Sequence, residues 1–254
     1  MPARSRLDEG RSSFTRKLWL EGSAAGTISA TVPHSGAVAP STLTGIFIPM
    51  RTAAIAPVVT SAALADQIAA RGLAVDVLIN NAGLGGASRF DRQEIGRIGE
   101  ILQVNIVALA ELTRLLLPGM VARGRGRIML VASTAAFLPG PEMALYFASK
   151  AFVLSLGEAL AHELRGSGVT LTTLCPGSTD TAFFTTAGAD NTVMAQRFRR
   201  MMSADAVARI GCSAMAAGRP VVVAGLANRL MTLAARLTPH RLTLPVTQRL
   251  MRRD

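Results

Sequence analysis

One tyrosine and one lysine of this chain stand four residues apart. Tyr146 is the only tyrosine among 254 residues, and Lys150 is one of two lysines. Residues at this spacing are neighbours on one face of a helix. A free phenol has a pKa of about 10 and a nearby cation favours the phenolate, so the pair predicts a proton-transfer group tuned toward neutral pH. The alternative is an aromatic ring packed in a core with an exposed lysine one turn away.

The elements that position this pair follow a regular alternation from about residue 60 onward. Apolar, β-branched runs alternate with amphipathic helical stretches, which is typical of βαβ units on a parallel sheet. We predict strands over residues 76–79, 128–132, 169–174 and 221–224. We predict helices over residues 61–70, 93–123, 144–165, 204–216 and 226–237. The sequence shows no internal repeat and no second globular domain.

The longest predicted helix carries an apolar stripe of helical period. Its members are Ile98, Ile101, Leu102, Leu109, Leu112 and Leu116. Asn105 falls within this stripe. A buried amide must find hydrogen-bond partners or it costs free energy, so Asn105 is interpreted either as a structural bracket or as part of a site.

Three polar clusters each follow directly after a predicted strand. They are Asn80-Asn81-Ala82-Gly83, Ser133-Thr134, and Pro176-Gly177-Ser178-Thr179. Ligands of open parallel sheets bind outside the carboxyl ends of the strands, so three separate segments deliver hydrogen-bonding groups to one edge. Each cluster taken singly is also compatible with an ordinary turn.

Together these residues resemble the short-chain dehydrogenase/reductase family. The resemblance rests on the Asn80–Gly83 cluster, Asn105, Ser133, the Tyr146/Lys150 pair, and Pro176-Gly177 followed by Thr179 and Thr181. It covers roughly residues 60–185. It implies an α/β fold with a doubly wound, Rossmann-like parallel sheet in a single domain, with an atypical segment over residues 1–60.

The resemblance also implies a role for each catalytic candidate. Tyr146 is expected to protonate a carbonyl oxygen as hydride arrives from a nicotinamide, or to act as the base in the reverse reaction. Lys150 is expected to lower the pKa of Tyr146 and to bind the nicotinamide ribose. Ser133 is expected to hydrogen-bond the substrate oxygen. Asn105 is expected to hold a water that links Lys150 to solvent.

The implied cofactor is NAD or NADP, which carries the redox chemistry itself. Asn81, Ala82 and Gly83 are expected on its adenosine side. Pro176, Gly177 and Thr179 are expected on its nicotinamide side. Residues from about 181 to 202, including Phe183 and Phe184, are expected to form a substrate lid.

The first sixty residues depart from the family pattern. The family's glycine-rich phosphate loop has only a two-glycine counterpart here, Gly22 and Gly26, with Glu21 and Ile28 at unfavourable positions. This segment lacks helical periodicity and offers one short predicted strand at residues 17–20. One hypothesis is that residues 1–60 are read in a shifted frame or were replaced, which leaves a degraded N-terminal part before the remainder at 61–254.

Charge and composition limit the other function classes. The net charge of +11 is concentrated in residues 191–254, which hold eleven arginines and two acids. Phe198 is the single aromatic residue among these arginines, too few for a base-stacking groove, so we expect a solvated basic tail and no nucleic-acid site. Two cysteines and three scattered histidines predict neither a disulfide framework nor a metal site. We also expect no transmembrane segment, no secretory signal and a cytoplasmic location.

The predicted helix 226–237 has a single leucine face. Leu226, Leu230, Leu233 and Leu237 recur at helical spacing, with Arg229 and Arg236 elsewhere on the helix. The pattern predicts a helix whose leucines pack against the sheet. The same pattern is also that of a helix lying on an anionic membrane surface.

The sequence therefore favours an NAD(P)-dependent oxidoreductase that interconverts a ketone or aldehyde and an alcohol. The alternatives are an impaired or inactive relative that does not bind dinucleotide, and a peripheral binder of anionic surfaces. By analogy with the family, we expect a homodimer or homotetramer that pairs through the helices of Asn105 and Tyr146. The sequence does not identify the substrate.

Overall fold

The computed structural model describes residues 26–31, 42–47, 60–181, 183, 187–189, 192–193 and 202–252. Six strands form one sheet in the order β1-β2-β3-β4-β5-β8, and β6 pairs with β7 in a separate two-stranded ladder. The strands are β1 Gly26–Thr31, β2 Thr42–Phe47, β3 Val77–Asn80, β4 Gly126–Val131, β5 Val169–Cys175, β6 Thr179–Asp180, β7 Met202–Ser203 and β8 Val221–Val223.

The sheet is parallel from β2 to β8, and β1 joins β2 in an antiparallel pair at the edge. All four strands predicted from the sequence are present within a residue or two of their expected bounds. The strands β1 and β2 were missed, because residues before 60 lack the apolar runs that mark the later strands. The strand predicted at residues 17–20 lies outside the described residues.

Seven α-helices connect and cover the described strands. They are α1 Ser61–Ala70, α2 Ile95–Leu102, α3 Leu109–Ala122, α4 Ala144–Glu163, α5 Ala204–Ala216, α6 Leu226–Leu237 and α7 His240–Met251. The predictions for α1, α5 and α6 are confirmed, and α4 ends two residues earlier than expected. The helix α7 was not predicted, because Pro245 interrupts its apolar pattern.

The predicted helix 93–123 is interrupted in its middle. Residues Gln103–Ala108 form a π-helical segment between α2 and α3, and Asn105 is buried within it. Such π segments widen the helix by one residue and are frequent at functional sites. The interruption therefore marks the position where the amide enters the interior.

Alternate residues of the central strands face two different helical layers. Leu78, Ile128, Leu130 and Leu171 join a core with α1, α3 and α4. Ile79, Met129, Leu174 and Val222 join a second core with α5 on the opposite face. Because successive side chains of a strand point to opposite faces, helices on both sides cover the central strands β3, β4 and β5. This confirms the α/β layered fold expected from the sequence.

Two helical stretches, Ile95–Ala122 and Ala144–Glu163, are long and apolar enough to cross a membrane by length and composition. Both also carry polar residues against the sheet, since Asn105, Ser149 and Lys150 are buried. Core helices of a globular domain meet the same length and composition criteria. These stretches therefore do not indicate a membrane protein.

The leucine face of α6 does not pack against the sheet. Leu226, Leu230, Leu233 and Leu237 are exposed, and the buried residues of α6 are Thr232 and Ala235. The prediction that the leucines cover the core is wrong. The small residues on the opposite side allow a closer approach of the helix to the body.

Candidate active site

The carboxyl ends of β3, β4 and β5 bring the three polar clusters to one edge of the sheet. Their loops are joined directly, because the Thr134 backbone N–H donates to the Pro176 carbonyl at 2.7 Å. Gly83 reaches the same place from β3, since a Cβ on Gly83 would lie 3.1 Å from the Lys150 Nζ. The convergence that the strand order predicted is therefore present in the structure.

Tyr146 stands in the first turn of α4, with Ser133 near its hydroxyl. Burial raises the pKa of the Tyr146 hydroxyl to about 12, and the Ser133 hydroxyl opposes that rise. Ser133 lies at the end of β4, where its Oγ accepts from the Ala135 backbone N–H at 3.1 Å. The serine is thereby fixed in place beside the phenol.

Lys150 is buried one turn along α4 from Tyr146. Its Nζ donates to the Val131 carbonyl at 2.9 Å and lies 5.8 Å from the centre of the Tyr146 ring. Burial lowers the pKa of the ammonium to about 8. Burial is the largest cause of the Tyr146 pKa shift, and a lowering of that pKa by Lys150 stays a prediction.

Asn105 acts as a bracket between three segments. Its Oδ1 accepts from the Leu84 N–H at 2.7 Å, and its Nδ2 donates to the Leu84 carbonyl and to Ser149 Oγ, both at 2.9 Å. Ser149 Oγ in turn donates to the Tyr146 carbonyl at 2.7 Å. This chain of bonds ties the loop after β3 to the turn of α4 that carries Tyr146. A water held by Asn105 stays a prediction.

Glycine is required at two of the cofactor-binding candidates. A Cβ on Gly83 would crowd Lys150, and a Cβ on Gly177 would lie 2.5 Å from Asn228 Nδ2. Thr179 donates from its Oγ1 to the Gly177 carbonyl at 3.0 Å, which tightens the turn after β5. Asn81, Ala82 and Pro176 are partly buried at the same edge.

The described residues of the candidate phosphate loop form a strand, not a loop. Gly26, Thr27 and Ile28 belong to strand β1 and pair with β2. Residues 21–25 of that candidate lie outside the described residues. The strand that contains Gly26 does not have the strand-turn-helix form that places a helix N-terminus on a pyrophosphate.

The expected lid segment is anchored at both ends. Strand β6 precedes it and pairs with β7, which follows it. Within it, the Phe183 ring lies 4.9 Å from the Tyr146 ring, measured between ring centres. Phe184 and most of the remaining lid residues lie outside the described residues. An apolar wall formed by Ala87, Met143 and Phe147 continues this contact.

Two residues near the site were missed by the sequence argument. Ser149 links Asn105 to α4, and Asn228 of α6 sits against Gly177 while donating to the Ala224 carbonyl at 2.6 Å. Ser149 lies between Tyr146 and Lys150 in the sequence. Because both sides of that turn of α4 are covered by other parts of the protein, the burial of Ser149 could have been predicted. Nothing in the local pattern of α6 indicated the contact of Asn228.

The family model described as short chain dehydrogenase matches residues 50–192, which is more than half of the chain. The chain belongs to the short-chain dehydrogenase family. The ketoacyl reductase HetN of Nostoc sp. is 43% identical over 103 residues, which cover 41% of this chain and 36% of that protein. A very-long-chain 3-oxoacyl-CoA reductase of Pyrenophora tritici-repentis is 40% identical over 100 residues, which cover 39% of this chain and 29% of that protein. The chain thus spans well under half the length of these relatives.

Solved structures of this short-chain dehydrogenase family share the fold. A short-chain dehydrogenase from Sphingobium yanoikuyae in complex with NADPH has a TM-score of 0.60 and 29% identity, with 68% of this chain and 67% of that chain covered. A 3-oxoacyl-[acyl-carrier protein] reductase from Brucella melitensis with bound NAD has a TM-score of 0.55 and 25% identity, with 67% and 69% covered.

Proposed function

We propose that this short-chain dehydrogenase is an NAD(P)-dependent oxidoreductase that interconverts a carbonyl compound and an alcohol, with Tyr146 as the proton-transfer group. One observation carries the proposal. The chain's single tyrosine stands near Ser133 at the carboxyl edge of the sheet, and the buried Lys150 Nζ lies 5.8 Å from the centre of its ring.

The residues present fit the nicotinamide end of a dinucleotide. Gly83 has no side chain where Lys150 Nζ approaches, and Gly177 and Thr179 form a tight turn beside it. Asn81, Ala82 and Gly83 would line one side of the bound cofactor, and Pro176, Gly177 and Thr179 the other. When bound, the dinucleotide supplies or accepts the hydride. The relatives solved with NADPH and NAD support this assignment.

The protonated form of Tyr146 is the form that donates a proton when a carbonyl is reduced. With a pKa of about 12, the phenol is protonated at neutral pH and can donate its proton to the carbonyl oxygen. Ser133 is placed to donate a hydrogen bond to the same oxygen and to stabilise the charge that develops on it. In this proposal Lys150 would hold the cofactor ribose, and Asn105 would position the turn of α4 that carries Tyr146.

The lining beside Tyr146 favours a carbonyl compound with an apolar chain. The Phe183 ring lies 4.9 Å from the Tyr146 ring, and Met143 and Phe147 belong to the same apolar cluster. The names of the similar proteins, a ketoacyl reductase and 3-oxoacyl reductases, agree with such a substrate. We propose 3-oxoacyl thioesters as the first substrates to assay.

The test is Tyr146→Phe, which removes one hydroxyl and keeps the ring. We expect kcat for ketone reduction with NADPH or NADH to fall by about 10²–10⁴-fold, the usual contribution of a positioned general acid. Thr172→Val is the matched control, because it removes a hydroxyl that is buried in the sheet without a hydrogen-bond partner among the described residues. Unchanged turnover by Tyr146→Phe, with the control also active, would disprove the assigned role.

A second candidate is an impaired relative that does not bind dinucleotide. The observation in its favour is that Gly26, Thr27 and Ile28 lie in strand β1, away from the loop geometry that binds pyrophosphate. Titration of NADPH and NADH followed by nucleotide fluorescence separates the two candidates. Absence of binding to both at millimolar concentration would favour the impaired form. Translation of the upstream DNA in its other two frames tests whether residues 1–60 result from a shifted frame.

We also propose a homodimer or homotetramer that pairs through α2, α3 and α4. Large apolar side chains are exposed along these helices, namely Ile95, Leu102, Leu115, Val121 and Phe152. Burying such residues between copies removes apolar surface from water. Light scattering coupled to size-exclusion chromatography gives the number of copies, and a monomer would contradict the proposal. A cytoplasmic location stays a prediction.

A further inference from the structure

The helix α6 presents its leucines to solvent. The exposed fractions are 72% for Leu226, 61% for Leu230, 55% for Leu233 and 77% for Leu237. Their spacing of four, three and four residues places all four on one narrow face. Apolar side chains gathered on one exposed face mark an interaction surface more strongly than scattered ones do. These four residues form the leucine face of α6.

Polar side chains anchor α6 in this orientation. Arg229 Nε donates to the Val223 carbonyl at 3.1 Å, and Asn228 Nδ2 donates to the Ala224 carbonyl at 2.6 Å. Arg236 pairs with Glu158 of α4 at 3.3 Å, and its guanidinium lies 4.8 Å from the centre of the Phe137 ring. The polar residues of α6 thus contact the body of the protein, which leaves the leucine face turned outward.

The surroundings of the leucine face are basic. Residues 206–253 contain eight arginines and no aspartate or glutamate. Arg241, Arg249 and Arg252 are exposed in and after α7, which also exposes Leu242 and Val246. An apolar face in an arginine-rich stretch of the chain complements a surface that is apolar inside and negatively charged outside, as an anionic bilayer is.

We propose that the leucine face of α6 docks the protein on the surface of an anionic membrane. In this arrangement the four leucines enter the boundary between headgroups and acyl chains, and the exposed arginines in and after α7 contact lipid phosphates and carboxylates. A second copy of the chain is the less suitable occupant. Symmetric pairing through this face would bring together two arginine-rich segments with no acidic residue between positions 206 and 253.

The docking face lies next to the candidate active site. Helix α6 packs against the 3-10 segment Thr134–Phe137 that follows Ser133. The end of α7 contributes Leu250 and Met251 to the apolar cluster that also contains Tyr146 and Phe183. Docking would therefore bring the cleft close to apolar carbonyl compounds held in the bilayer, a consequence that rests on the proposed function. The docking itself does not depend on turnover.

The test is co-sedimentation of the full-length protein with vesicles. Vesicles of phosphatidylcholine mixed with phosphatidylserine are compared with vesicles of phosphatidylcholine alone, at low and high salt. We expect binding to the mixed vesicles that weakens with salt, because screening reduces the contribution of the arginines. The double substitution Leu230→Ser/Leu233→Ser is expected to reduce the partition coefficient about tenfold or more, since two apolar side chains leave the interface.

Two further variants make the test specific. Phe90→Ser is the matched control, because Phe90 is exposed to the same degree as Leu230, 62% against 61%, but lies in a different part of the protein. It is expected to bind like the wild type. Arg241→Gln/Arg249→Gln is expected to weaken binding to the mixed vesicles only and to reduce the dependence on salt.

Three results would overturn the proposal. The first is no binding of the wild type to the mixed vesicles at low salt. The second is equal binding by the wild type and the double leucine variant. The third is conversion of a wild-type oligomer to a smaller species by the leucine substitutions without any vesicle binding, which would assign the face to a second copy. Because none of these measurements needs turnover, they are distinguishable from a failure of Tyr146→Phe to lose activity.

Discussion

The helices α4 and α6 contain similar fractions of apolar residues, but α4 turns large apolar side chains toward the core and α6 turns its leucines away from it. Helix α4 buries Val153 and Leu154 against the sheet together with the charged Lys150. Helix α6 buries only Thr232 and Ala235 and turns its leucines outward. Helical periodicity therefore indicates that a helix has an apolar face. It does not indicate whether that face meets the protein's own core or something outside it.

The polar residues of each helix account for the difference. In α4, Ser149 and Lys150 find hydrogen-bond partners inside, at Asn105 and at the Val131 carbonyl. In α6, Arg229 and Arg236 bond to the body at Val223 and Glu158. Buried polar groups without partners cost free energy, so the bonds of Ser149 and Lys150 fix the side of α4 that turns inward. The bonds of Arg229 and Arg236 lie at the surface and agree with the orientation of α6.

The sharpest test of this comparison is a pair of identical substitutions, Leu154→Ala in α4 and Leu233→Ala in α6. Leu154 is 6% exposed and Leu233 is 55% exposed. We expect Leu154→Ala to lower the free energy of unfolding by about 2–5 kcal/mol, because it leaves a cavity in a packed core. Leu233→Ala is expected to change it by less than about 0.5 kcal/mol.

Urea denaturation followed by far-UV circular dichroism measures both values under one set of conditions. A loss of similar size in the two variants would show that the leucine face is buried in solution. That result would contradict both the comparison and the membrane-docking proposal.

The second prediction concerns the charge that α4 buries. Burial lowers the pKa of Lys150 from 10.5 to about 8, so between these values the unfolded chain binds more protons than the folded one. Stability from this group therefore rises with pH from about 8 to about 10.5. Lys150→Met removes that rise, and the variant is expected to gain stability over the wild type at pH 7, on the order of 2 kcal/mol.

The measurement is the difference between the wild-type and Lys150→Met unfolding free energies at several pH values from 7 to 10. Taking the difference matters, because burial also raises the pKa of Cys175 to about 12 and thereby affects both proteins in the same range. The difference is expected to shrink as pH rises. A difference that stays constant with pH would contradict the lowered pKa of Lys150.

The carboxyl edge of the sheet and helix α6 also differ in how far the sequence could predict them. The sheet edge was predictable because each polar cluster follows an apolar strand, and the carboxyl ends of parallel strands must meet. The family resemblance named Asn105, Ser133, Tyr146 and Lys150 in advance, and the structure brings them to one place. The sign of the Tyr146 pKa shift was not predictable, because it depends on burial by residues distant in the chain, such as Phe183.

The orientation of α6 could not be read from its own residues. Its pattern fits a packed helix and a surface helix equally, and the deciding bonds go to Glu158 and Val223, which belong to other elements. The missed strands β1 and β2 have a related cause. Residues 26–47 form strands through pairing with each other and with β3, and pairing partners are not visible in a local pattern.

The last prediction tests how closely α4 approaches the sheet. Gly157 faces β5, and a Cβ built on it would lie only 2.0 Å from Thr173 Oγ1. Gly157→Ala gains helix propensity but forces Thr173 to rotate or α4 to move away, so we expect a net loss of about 1 kcal/mol. Thr173→Ala in the same chain removes the obstacle and is expected to recover part of that loss. The matched control is Gly99→Ala in α2, where the added Cβ meets no atom within 4 Å, and where we expect a gain of up to about 1 kcal/mol. Thermal unfolding of the wild type, Gly157→Ala, Gly157→Ala/Thr173→Ala and Gly99→Ala measures these changes in stability. Equal gains in stability at both glycines would mean that α4 is not held against β5 as tightly as the structure shows.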